Sequence, residues 1–496
     1  MKNWIGIDCG GTVLKAGVYD QTGKEIGVSR RGLTVLTREP GWAERDMPLL
    51  WQACCEVIQD VLAKTAIDPA SVGGVAISAQ GKGLFLLDKQ QQPLGYGILS
   101  SDQRALKQVR EWMKEGIPQK LYPETRQTLW TGHPATLLRW VKDHEPERYA
   151  QIGAVQMGHD FLRTCLTGEV ACEETNISES NFYNMEAAQY DSALLELLGI
   201  PEIMPALPKI VGSSEASGRV TEKAAKETGL LAGTPVYGGL FDVVSTALCA
   251  GLQDENTLNA VMGTWSVTSG VTDHIDHAQA DPFVYGRYAE AGKYIVHAAS
   301  PTSAGNLEWF IKQWGITDYS SINQEIASLP KADSNLFFVP FLYGSNAGSG
   351  MTAGFYGLQA LHERRHMLQA VYEGVVFSHM THLNFLRKRF PNATRMRLTG
   401  GPARSAEWMQ IFADVSGFEL ELPQIEETGC LGAALAAMVG GGAYPDFAAA
   451  LDAFQPKQIV VKPDPSVYEK YQTKLAKYQL LVNKLAEFQS ISESIV

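Results

Sequence analysis

Apolar and polar positions near the start of the chain predict a strand, a tight turn and a second strand. An apolar run at Trp4–Ile7 is followed by alternation of apolar and other residues over 14–19. Gly10 and Gly11 stand between them, and a glycine pair can take positive φ and let peptide N–H groups approach a ligand. Taken alone, this stretch fits a surface hairpin as readily as a phosphate-binding loop.

The same periodicities predict alternating strands and helices along the rest of the chain. Strands are predicted at 25–29, 72–78, 84–87, 98–100, 235–237, 258–261, 267–271, 294–298, 336–339 and 396–399. Helices are predicted at about 48–64, 104–115, 242–250, 363–387, 430–439 and 466–485, with 116–212 mostly helical. This alternation indicates an α/β architecture.

The opening pattern recurs in the second half of the chain. A strand at Leu258–Val261, a Gly/Thr turn at Met262–Ser266 and a return strand at Val267–Val271 repeat its order. A duplicated module facing itself across a cleft explains the repeat most simply. We therefore expect two domains, 1–252 and 253–496, the second ending in a helix that covers one face.

Composition excludes several classes of protein. The 496 residues are 45% hydrophobic and 19% charged, which is typical of a globular protein with more than one core. A net charge of −12 argues against nucleic acid or an anionic membrane as a partner. Seven cysteines without a C-x-x-C spacing fit a reducing cytoplasm. No signal-peptide pattern or membrane-spanning run is visible.

Three glycine-containing turns that follow strands are candidate nucleotide contacts. They are Gly10–Thr12, Gly263–Ser266 and Gly400–Gly401. With Asp8 and Lys15 beside it, the first turn offers donors for phosphate oxygens and a carboxylate for Mg²⁺. We expect the first turn to meet the terminal phosphate of a nucleotide, the second the middle phosphates and the third the nucleoside.

Polar residues just after strands are candidate substrate contacts. In α/β proteins such residues point into the crevice where ligands bind, although solvated loops with a helix-capping Asp102 would look the same. The candidates are Gln80, Lys82, Ser101, Asp102 and Arg104. Asp242, at a predicted helix start, is either an N-cap or the carboxylate that accepts the proton of a substrate hydroxyl in phosphoryl transfer. Asp160 is favoured as a helix cap.

Longer motifs make the chain resemble the FGGY family of carbohydrate kinases over nearly its whole length. The most specific match is Ala353–Leu358 followed by His366-Met367 and Ala370–Glu373, and the Gly-Trp-x-Glu-x-Asp loop stands at Gly41–Asp46. The phosphate and adenosine motifs of the family resemble Asp8–Thr12 with Lys15, Met262–Ser266 and Thr399–Ser405. A further signature around Gly132 and Trp140 fits, except that Leu137 stands where the family usually has Lys.

The resemblance implies a duplicated two-domain fold like those of actin and hexokinase (ribonuclease H-like), with the nucleotide in a cleft between the domains. It implies ATP and Mg²⁺ as cofactors, with Asp242 as catalytic base and Asp8 and Asp242 holding Mg²⁺ directly or through water. The ATP contacts it implies are Gly10, Gly11, Thr12, Lys15, Gly263, Thr264, Gly400, Gly401 and Arg404. The expected substrate contacts are those named above together with Asp242.

Within the family, substrate class is suggested by resemblance alone. Glycerol kinases have Arg-Glu and D-xylulose kinases Met-His-Gly where this chain has Gly81-Lys82-Gly83. The run Ile77–Asp88 with Ile98–Asp102 is similar to bacterial kinases of L-xylulose, which makes phosphorylation of L-xylulose at O5 the expected reaction. Ribulose, D-xylulose, pentitols, glycerol and 3-keto-L-gulonate remain alternatives.

Two rival functions belong to other classes. A nucleotide-switched ATPase of the chaperone or actin type would consume ATP without responding to a sugar, and the polar first-domain loops weigh against it. A catalytically silent sugar-binding relative is opposed by the presence of both Asp8 and Asp242. Long amphipathic helices would allow a homodimer, but such helices more often cover the chain's own core.

Overall fold

Strands and helices alternate along the chain in the computed structural model, which describes residues 2–263, 265–278, 281–348, 350–454 and 456–493. The strands are β1 Asn3–Cys9, β2 Val13–Tyr19, β3 Glu25–Gly32, β4 Glu44–Arg45, β5 Val72–Ala79, β6 Phe85–Asp88, β7 Gly97–Ile98, β8 Ile152–Gln156, β9 Ala171–Glu173, β10 Tyr183–Asn184, β11 Gln189–Tyr190, β12 Lys209–Val211, β13 Ala216–Arg219, β14 Pro235–Tyr237, β15 Leu240–Phe241, β16 Thr257–Met262, β17 Ser266–Thr272, β18 Val284–Arg287, β19 Tyr294–Ser300, β20 Phe337–Val339, β21 Gly354–Tyr356, β22 Arg395–Thr399, β23 Glu419–Pro423 and β24 Gln458–Val461.

The helices are α1 Met47–Thr65, α2 Leu106–Lys114, α3 Ile117–Thr125, α4 Pro134–His144, α5 Pro146–Ala150, α6 Gly158–Thr167, α7 Glu174–Ile177, α8 Ser192–Leu197, α9 Glu222–Thr228, α10 Asp242–Cys249, α11 Gly305–Gln313, α12 Tyr319–Ala327, α13 Arg364–Arg389, α14 Ala406–Ser416, α15 Thr428–Gly440, α16 Phe447–Phe454 and α17 Pro465–Glu493. Short 3₁₀ turns occur at Pro69–Ser71, Pro201–Ala206 and Gly401–Arg404.

The chain forms two compact units that are each discontinuous in sequence. The first comprises Met1–Gly251, Thr272–Ile295 and Ile425–Gln455, and the second Leu252–Val271, Val296–Gln424 and Pro456–Val496. The unit changes at residue 251, near the expected boundary, but two later segments belong to the first unit. The division therefore differs from a single cut between 252 and 253.

Helix α15 is the reason that a late segment belongs to the first unit. It packs against β1 and β5 and against α10. Gly6 makes this close approach possible, because a Cβ there would lie 1.7 Å from the carbonyl oxygen of Cys430. Helix and strand thus pack together although about 420 residues separate them in the chain.

The first unit is built on a mixed sheet in the order β13-β14-β5-β1-β2-β3, with β15 also paired to β5. Strand β1 runs antiparallel to β2 and parallel to β5. The fully buried side chains of Ile5, Ile7 and Val75 join one apolar core with Ile58 of α1 and Leu162 of α6. Because β5 is buried at every position, it reads as the near-continuous apolar run expected of a central parallel strand.

The second unit repeats this strand arrangement. Its sheet contains β19-β17-β16-β22-β23-β24, in which β16 is antiparallel to β17 and parallel to β22. Strand β22 is in turn parallel to β23, as β5 is to β14 in the first unit. The repeated hairpin predicted from the sequence is therefore present. In each unit the first strand of the hairpin also pairs, along its other edge, with a parallel strand.

The prediction that 116–212 is mostly helical was incomplete. Strands β8 to β12 lie within it, and they are only two to five residues long. Strand β8 pairs with β6, and β9 with β12, so their partners are distant in sequence. Runs this short carry too few positions for a period of two to be distinguished from loop.

Candidate active site

Three strand ends come together at one edge of the first sheet. Asp8 of β1 is in register with Ser78 of β5, and Ser78 is in register with Leu240 of β15. Since these neighbouring pairs are parallel, the residues two positions further on, Gln80 and Asp242, leave the sheet at the same edge. Carboxyl ends of neighbouring parallel strands are where α/β folds bind ligands.

The turn of the first hairpin is tight for a different reason from the one expected. Neither Gly10 nor Gly11 takes positive φ, so the expectation that the pair supplies it was wrong. These positions need glycine because a side chain would be crowded there. A Cβ on Gly10 would lie 3.2 Å from the Val13 oxygen, and a Cβ on Gly11 would lie 3.2 Å from Gln80 Oε1. The turn thus brings backbone close to Gln80, and Thr12 at its tip is exposed.

Asp8 lies in a small ion network behind this turn. Its Oδ2 is 3.7 Å from the ammonium of Lys15, its cross-strand neighbour, and that ammonium is 2.8 Å from Glu427 Oε2. Arg30 also pairs with Glu427. Lys15, expected to contact ATP, is therefore already shared between two carboxylates of the protein.

Helix α15 begins directly against the Asp8 carboxylate. A Cβ on Gly429 would lie 2.3 Å from Asp8 Cγ, so only glycine leaves room for this arrangement. Burial raises the pKa of Asp8 to about 6, against the opposing charge of Lys15. Its side chain keeps 15% of its surface exposed, so one edge stays open to a ligand.

Asp242 is not the N-cap of its helix. The cap position of α10 is Phe241, which makes no side-chain capping hydrogen bond, and Asp242 is the first helical residue. The chain reaches it through Gly239, whose φ is +95° and where a Cβ would lie 2.0 Å from the Ile77 oxygen. Of the two readings that the sequence left open, the capping one is therefore contradicted.

The surroundings of Asp242 raise its pKa to near neutral pH, as suits a proton acceptor. Burial, reinforced by the charge of Asp8, raises its pKa to about 7, while the backbone N–H of Val243 and the ammonium of Lys82 oppose the rise. A carboxylate with a pKa near the working pH suits general base catalysis. Because the charge of Asp8 raises the pKa of Asp242, a divalent cation held by both carboxylates would relieve the repulsion between them.

Lys82 lies beside Asp242. Its backbone takes φ of 63°, its N–H donates to Asn176 Oδ1 at 2.9 Å, and its ammonium pairs with Glu179. The same ammonium is 5.4 Å from the centre of the Phe241 ring. Sequence reasoning found Lys82 but missed Glu179 and Asn176, because no local pattern marks residues that become neighbours only in the folded chain.

Asp102 and Arg104 are occupied by each other and by the protein. Asp102 accepts from the Arg104 guanidinium and from the Ala43 N–H, and Arg104 Nη2 also donates to Glu44 at 2.7 Å. Neither side chain has exposed surface, and the guanidinium stacks 3.8 Å above the ring of Trp42. The expectation that both side chains contact substrate is not supported; they fix the 41–46 loop instead. Ser101 beside them is exposed.

A buried polar cluster bonds the backbone that leads into α10. Glu173 accepts from the hydroxyl groups of Thr175 and Ser213 at 2.7 and 2.9 Å. Arg163 donates to the Gly238 oxygen at 2.7 Å and to Asp160 at 2.9 Å. Asp160 also accepts from the Met157 N–H, as a capping carboxylate does. None of these groups except Asp160 had a signal in the sequence.

In the second unit the two expected nucleotide turns are neighbours. Val261 of β16 is in register with Thr399 of β22, so Gly263 and Gly400 both follow strand ends. Gly400 has φ of +108°, and a Cβ there would lie 2.2 Å from the Met262 oxygen. A Cβ on Gly401 would meet nothing within 4 Å, and Arg404 closes the 3₁₀ turn that Gly401 begins.

The turn after β16 is anchored by a buried imidazole. His379 of α13 bonds Ser266 at 2.9 Å through Nδ1 and Ser303 at 3.1 Å through Nε2, and the Ala304 N–H donates to the Gly263 oxygen at 3.1 Å. Thr264, expected to contact ATP, lies outside the described residues. Leu137, at the departure from the second signature, is fully buried in α4.

Solved structures share the fold of this chain, and family models match its sequence. The chain shares its α/β fold with a solved xylulose kinase from Rhodospirillum rubrum, with a TM-score of 0.89, 25% identity and 99% and 100% of the two chains covered. Family models for the FGGY family of carbohydrate kinases match residues 3–249 (N-terminal domain) and 258–441 (C-terminal domain). The protein belongs to this family, and the predicted two-domain fold and kinase class are confirmed.

Two curated relatives are much more similar in sequence. The chain is 60% identical over 485 residues to the L-xylulose/3-keto-L-gulonate kinase of Escherichia coli K12, covering 98% of this chain and 97% of that protein. It is 58% identical to the probable L-xylulose kinase of Pasteurella multocida, with 98% and 99% covered.

In the described part of the chain, no helix is long and apolar enough to cross a membrane.

Proposed function

We propose that this protein transfers the terminal phosphoryl group of ATP to the primary hydroxyl of a ketopentose, converting L-xylulose to L-xylulose 5-phosphate. The observation that carries the proposal is Asp242, which follows β15 at the same sheet edge as Gln80 and next to Lys82, with its pKa raised to about 7. The substrate is suggested by relatives at 60% and 58% identity, which are named for L-xylulose.

Asp242 acts as the base in the proposed reaction. Phosphoryl transfer needs little covalent participation from the protein, so positioning of the hydroxyl and stabilisation of charge supply most of the rate. An ionised Asp242 accepts the proton of the attacking hydroxyl as the hydroxyl oxygen bonds to the terminal phosphorus of ATP. The bond from that phosphorus to its bridging oxygen breaks, and ADP leaves with the electron pair. Its raised pKa makes it a better proton acceptor than an ordinary exposed aspartate.

The residues of the first hairpin fit a phosphate and its metal. The backbone N–H of Gly11 and the Thr12 hydroxyl donate to phosphate oxygens, and Lys15 adds positive charge behind them. The Gly10 N–H instead donates to the Val13 oxygen at 3.0 Å and closes the turn that brings this backbone to the phosphate. Asp8 and Asp242 would hold Mg²⁺ directly or through water, since paired carboxylates suit a hard cation. The metal supplies charge neutralisation on the phosphates when bound.

The remaining contacts are divided between substrate and nucleotide. We assign the sugar hydroxyls to the side chains of Gln80, Lys82 and Ser101. Asp102 and Arg104 serve as positioning residues, because Asp102 Oδ2 and Arg104 Nη2 already bond the 41–46 loop. Gly263, Thr264, Gly400, Gly401 and Arg404 are assigned to the nucleotide on the basis of the family resemblance.

A second substrate is favoured by a specific observation. The Escherichia coli relative is also named for 3-keto-L-gulonate, which carries a carboxylate. The seven cysteines are all free thiols, which supports the cytoplasm as the expected location. A homodimer remains a prediction from the sequence.

The test is ADP release measured by a coupled assay with L-xylulose, D-xylulose, ribulose, pentitols, glycerol and 3-keto-L-gulonate. We expect L-xylulose to give the highest kcat/KM and ADP release to require a sugar. ADP release at the same rate with and without every sugar would contradict the proposal and favour a nucleotide-switched ATPase.

A further inference from the structure

Glu179 is a buried carboxylate whose partner belongs to the candidate substrate site. It follows the short helix α7, and its side chain is 1% exposed, while that of its partner Lys82 keeps 17%. It packs against the backbone of β18, where a Cβ on Gly286 would lie 2.6 Å from its Oε1. The carboxylate is therefore held in place, and Lys82 is the more accessible member of the pair.

The charge balance at Lys82 depends on this carboxylate. Lys82 lowers the pKa of Asp242, while the charge of Glu179 acts in the opposite direction. The ammonium therefore pairs with Glu179 and also acts on the charge of Asp242, two acidic groups of the protein, and it lies 5.4 Å from the centre of the Phe241 ring. With both of them ionised, little positive charge is left over for a ligand.

A neutral sugar and a sugar acid respond differently to such a site. A hydroxyl needs a donor or acceptor, which a paired ammonium and its carboxylate partner supply. A carboxylate needs net positive charge, and a fixed carboxylate beside the ammonium repels it. The Glu179 carboxylate that pairs with Lys82 therefore disfavours binding of an anionic substrate.

We propose that Glu179 determines specificity between neutral ketoses and sugar acids that bear one carboxylate, by setting how much of the Lys82 charge a substrate meets. This rests on the proposed function, because it takes Lys82 to face the sugar. The neutral substrate is favoured while Glu179 is ionised, and removal of its charge shifts preference toward the acid.

The test compares kcat/KM for L-xylulose and 3-keto-L-gulonate in wild-type protein and in Glu179→Gln. We expect the ratio of acid to neutral substrate to rise about tenfold, the scale of one charge-assisted hydrogen bond. Because both substrates are assayed on the same protein, partial loss of folded protein cancels in the ratio. Glu179→Asp keeps the charge and is expected to keep the wild-type ratio.

A matched control removes a charge from the same segment without touching Lys82. Glu174 accepts from the Tyr183 hydroxyl at 2.6 Å and lies 3.8 Å from Arg287, so Glu174→Gln is expected to leave the ratio unchanged. The shift must also require Lys82, so Glu179→Gln is expected to have no effect on the ratio in a Lys82→Met background.

The outcomes separate this inference from the proposed function. Wild-type protein that phosphorylates neither substrate would contradict both. Wild-type protein active on L-xylulose, with the same ratio in Glu179→Gln, would contradict the inference alone. A shift of equal size in Glu174→Gln, or one that persists without Lys82, would also overturn it.

Discussion

The hydroxyl of Thr175 accepts a hydrogen bond from the backbone N–H of Phe241 at 2.9 Å, directly before the proposed base. The same hydroxyl donates to Glu173 at 2.7 Å, so its single proton is committed and its oxygen is left to accept. The fixed orientation of this hydroxyl ties the start of α10 to a buried carboxylate. Thr175 is in this way a positioning residue for Asp242.

Replacement of Thr175 by Val should lower kcat about tenfold with a smaller change in KM, because the unpaired Phe241 N–H costs about 1–3 kcal/mol and frees the backbone at Asp242. Thr175→Ser keeps the hydroxyl and should restore most of kcat. Steady-state kinetics on L-xylulose measure both. Equal losses in the Val and Ser variants would show that packing of the methyl group matters instead.

The rate should depend on pH through Asp242. The base works ionised, and its pKa is raised to about 7 by burial and by Asp8. We expect kcat to rise as pH increases through about 7 and to level off above 8, with the fall on the acid side reinforced by Asp8, whose pKa is about 6. A profile that stays flat between pH 5.5 and 8.5 would contradict this role.

Ionisation of Asp242 should also cost stability. Its folded-state pKa lies above the ordinary 3.8, so the folded protein binds the proton more tightly, and the group destabilises the fold increasingly as pH rises from about 4 to 7. Asp242→Asn should therefore raise the free energy of unfolding by about 1–3 kcal/mol at pH 8 and by less at pH 5. Denaturant unfolding at the two pH values measures the difference.

Acid should destabilise the second unit through its buried imidazoles. Burial lowers the pKa of His379 to about 3 and that of His382 to about 4. Since the unfolded side chains protonate near 6.5, stability is present above that pH and is lost below it, by about 2 kcal/mol per imidazole at pH 5. His379→Asn should make the free energy of unfolding less dependent on pH between 7 and 5. If the free energy of unfolding kept the same dependence on pH in this variant, the lowered pKa of His379 would be contradicted.

Much of the fold follows from local pattern, and the exceptions have physical causes. The hairpins, the long helix α13 and strand β5 were predicted nearly to their ends, because each carries many positions of one period. The return of α15 to the first unit could not be predicted, since only a close approach at Gly6 and Gly429 reveals it. Local periodicity carries no information on which unit a segment joins.

The candidate site divides in the same way. Asp242 and Lys82 were predicted because polar residues follow strand ends, and their roles stay predictions. Glu179 and Thr175 were missed because a buried polar group gains its meaning from partners that lie about 65 to 100 residues away in the chain. Asp102 was predicted as a substrate contact because the sequence cannot show that Arg104 and Ala43 bond its oxygens.

The most direct test of the central claim is ADP release by Asp242→Asn with L-xylulose and ATP. The substitution keeps shape and removes the proton acceptor, so turnover should fall about 10³-fold while ATP binding and folding persist. Asp318→Asn, the same change at a true helix cap where Asp318 accepts from the Ser320 N–H at 2.9 Å, should leave turnover nearly intact. Near-normal turnover in Asp242→Asn would contradict the assignment of the base and, with it, the proposed mechanism.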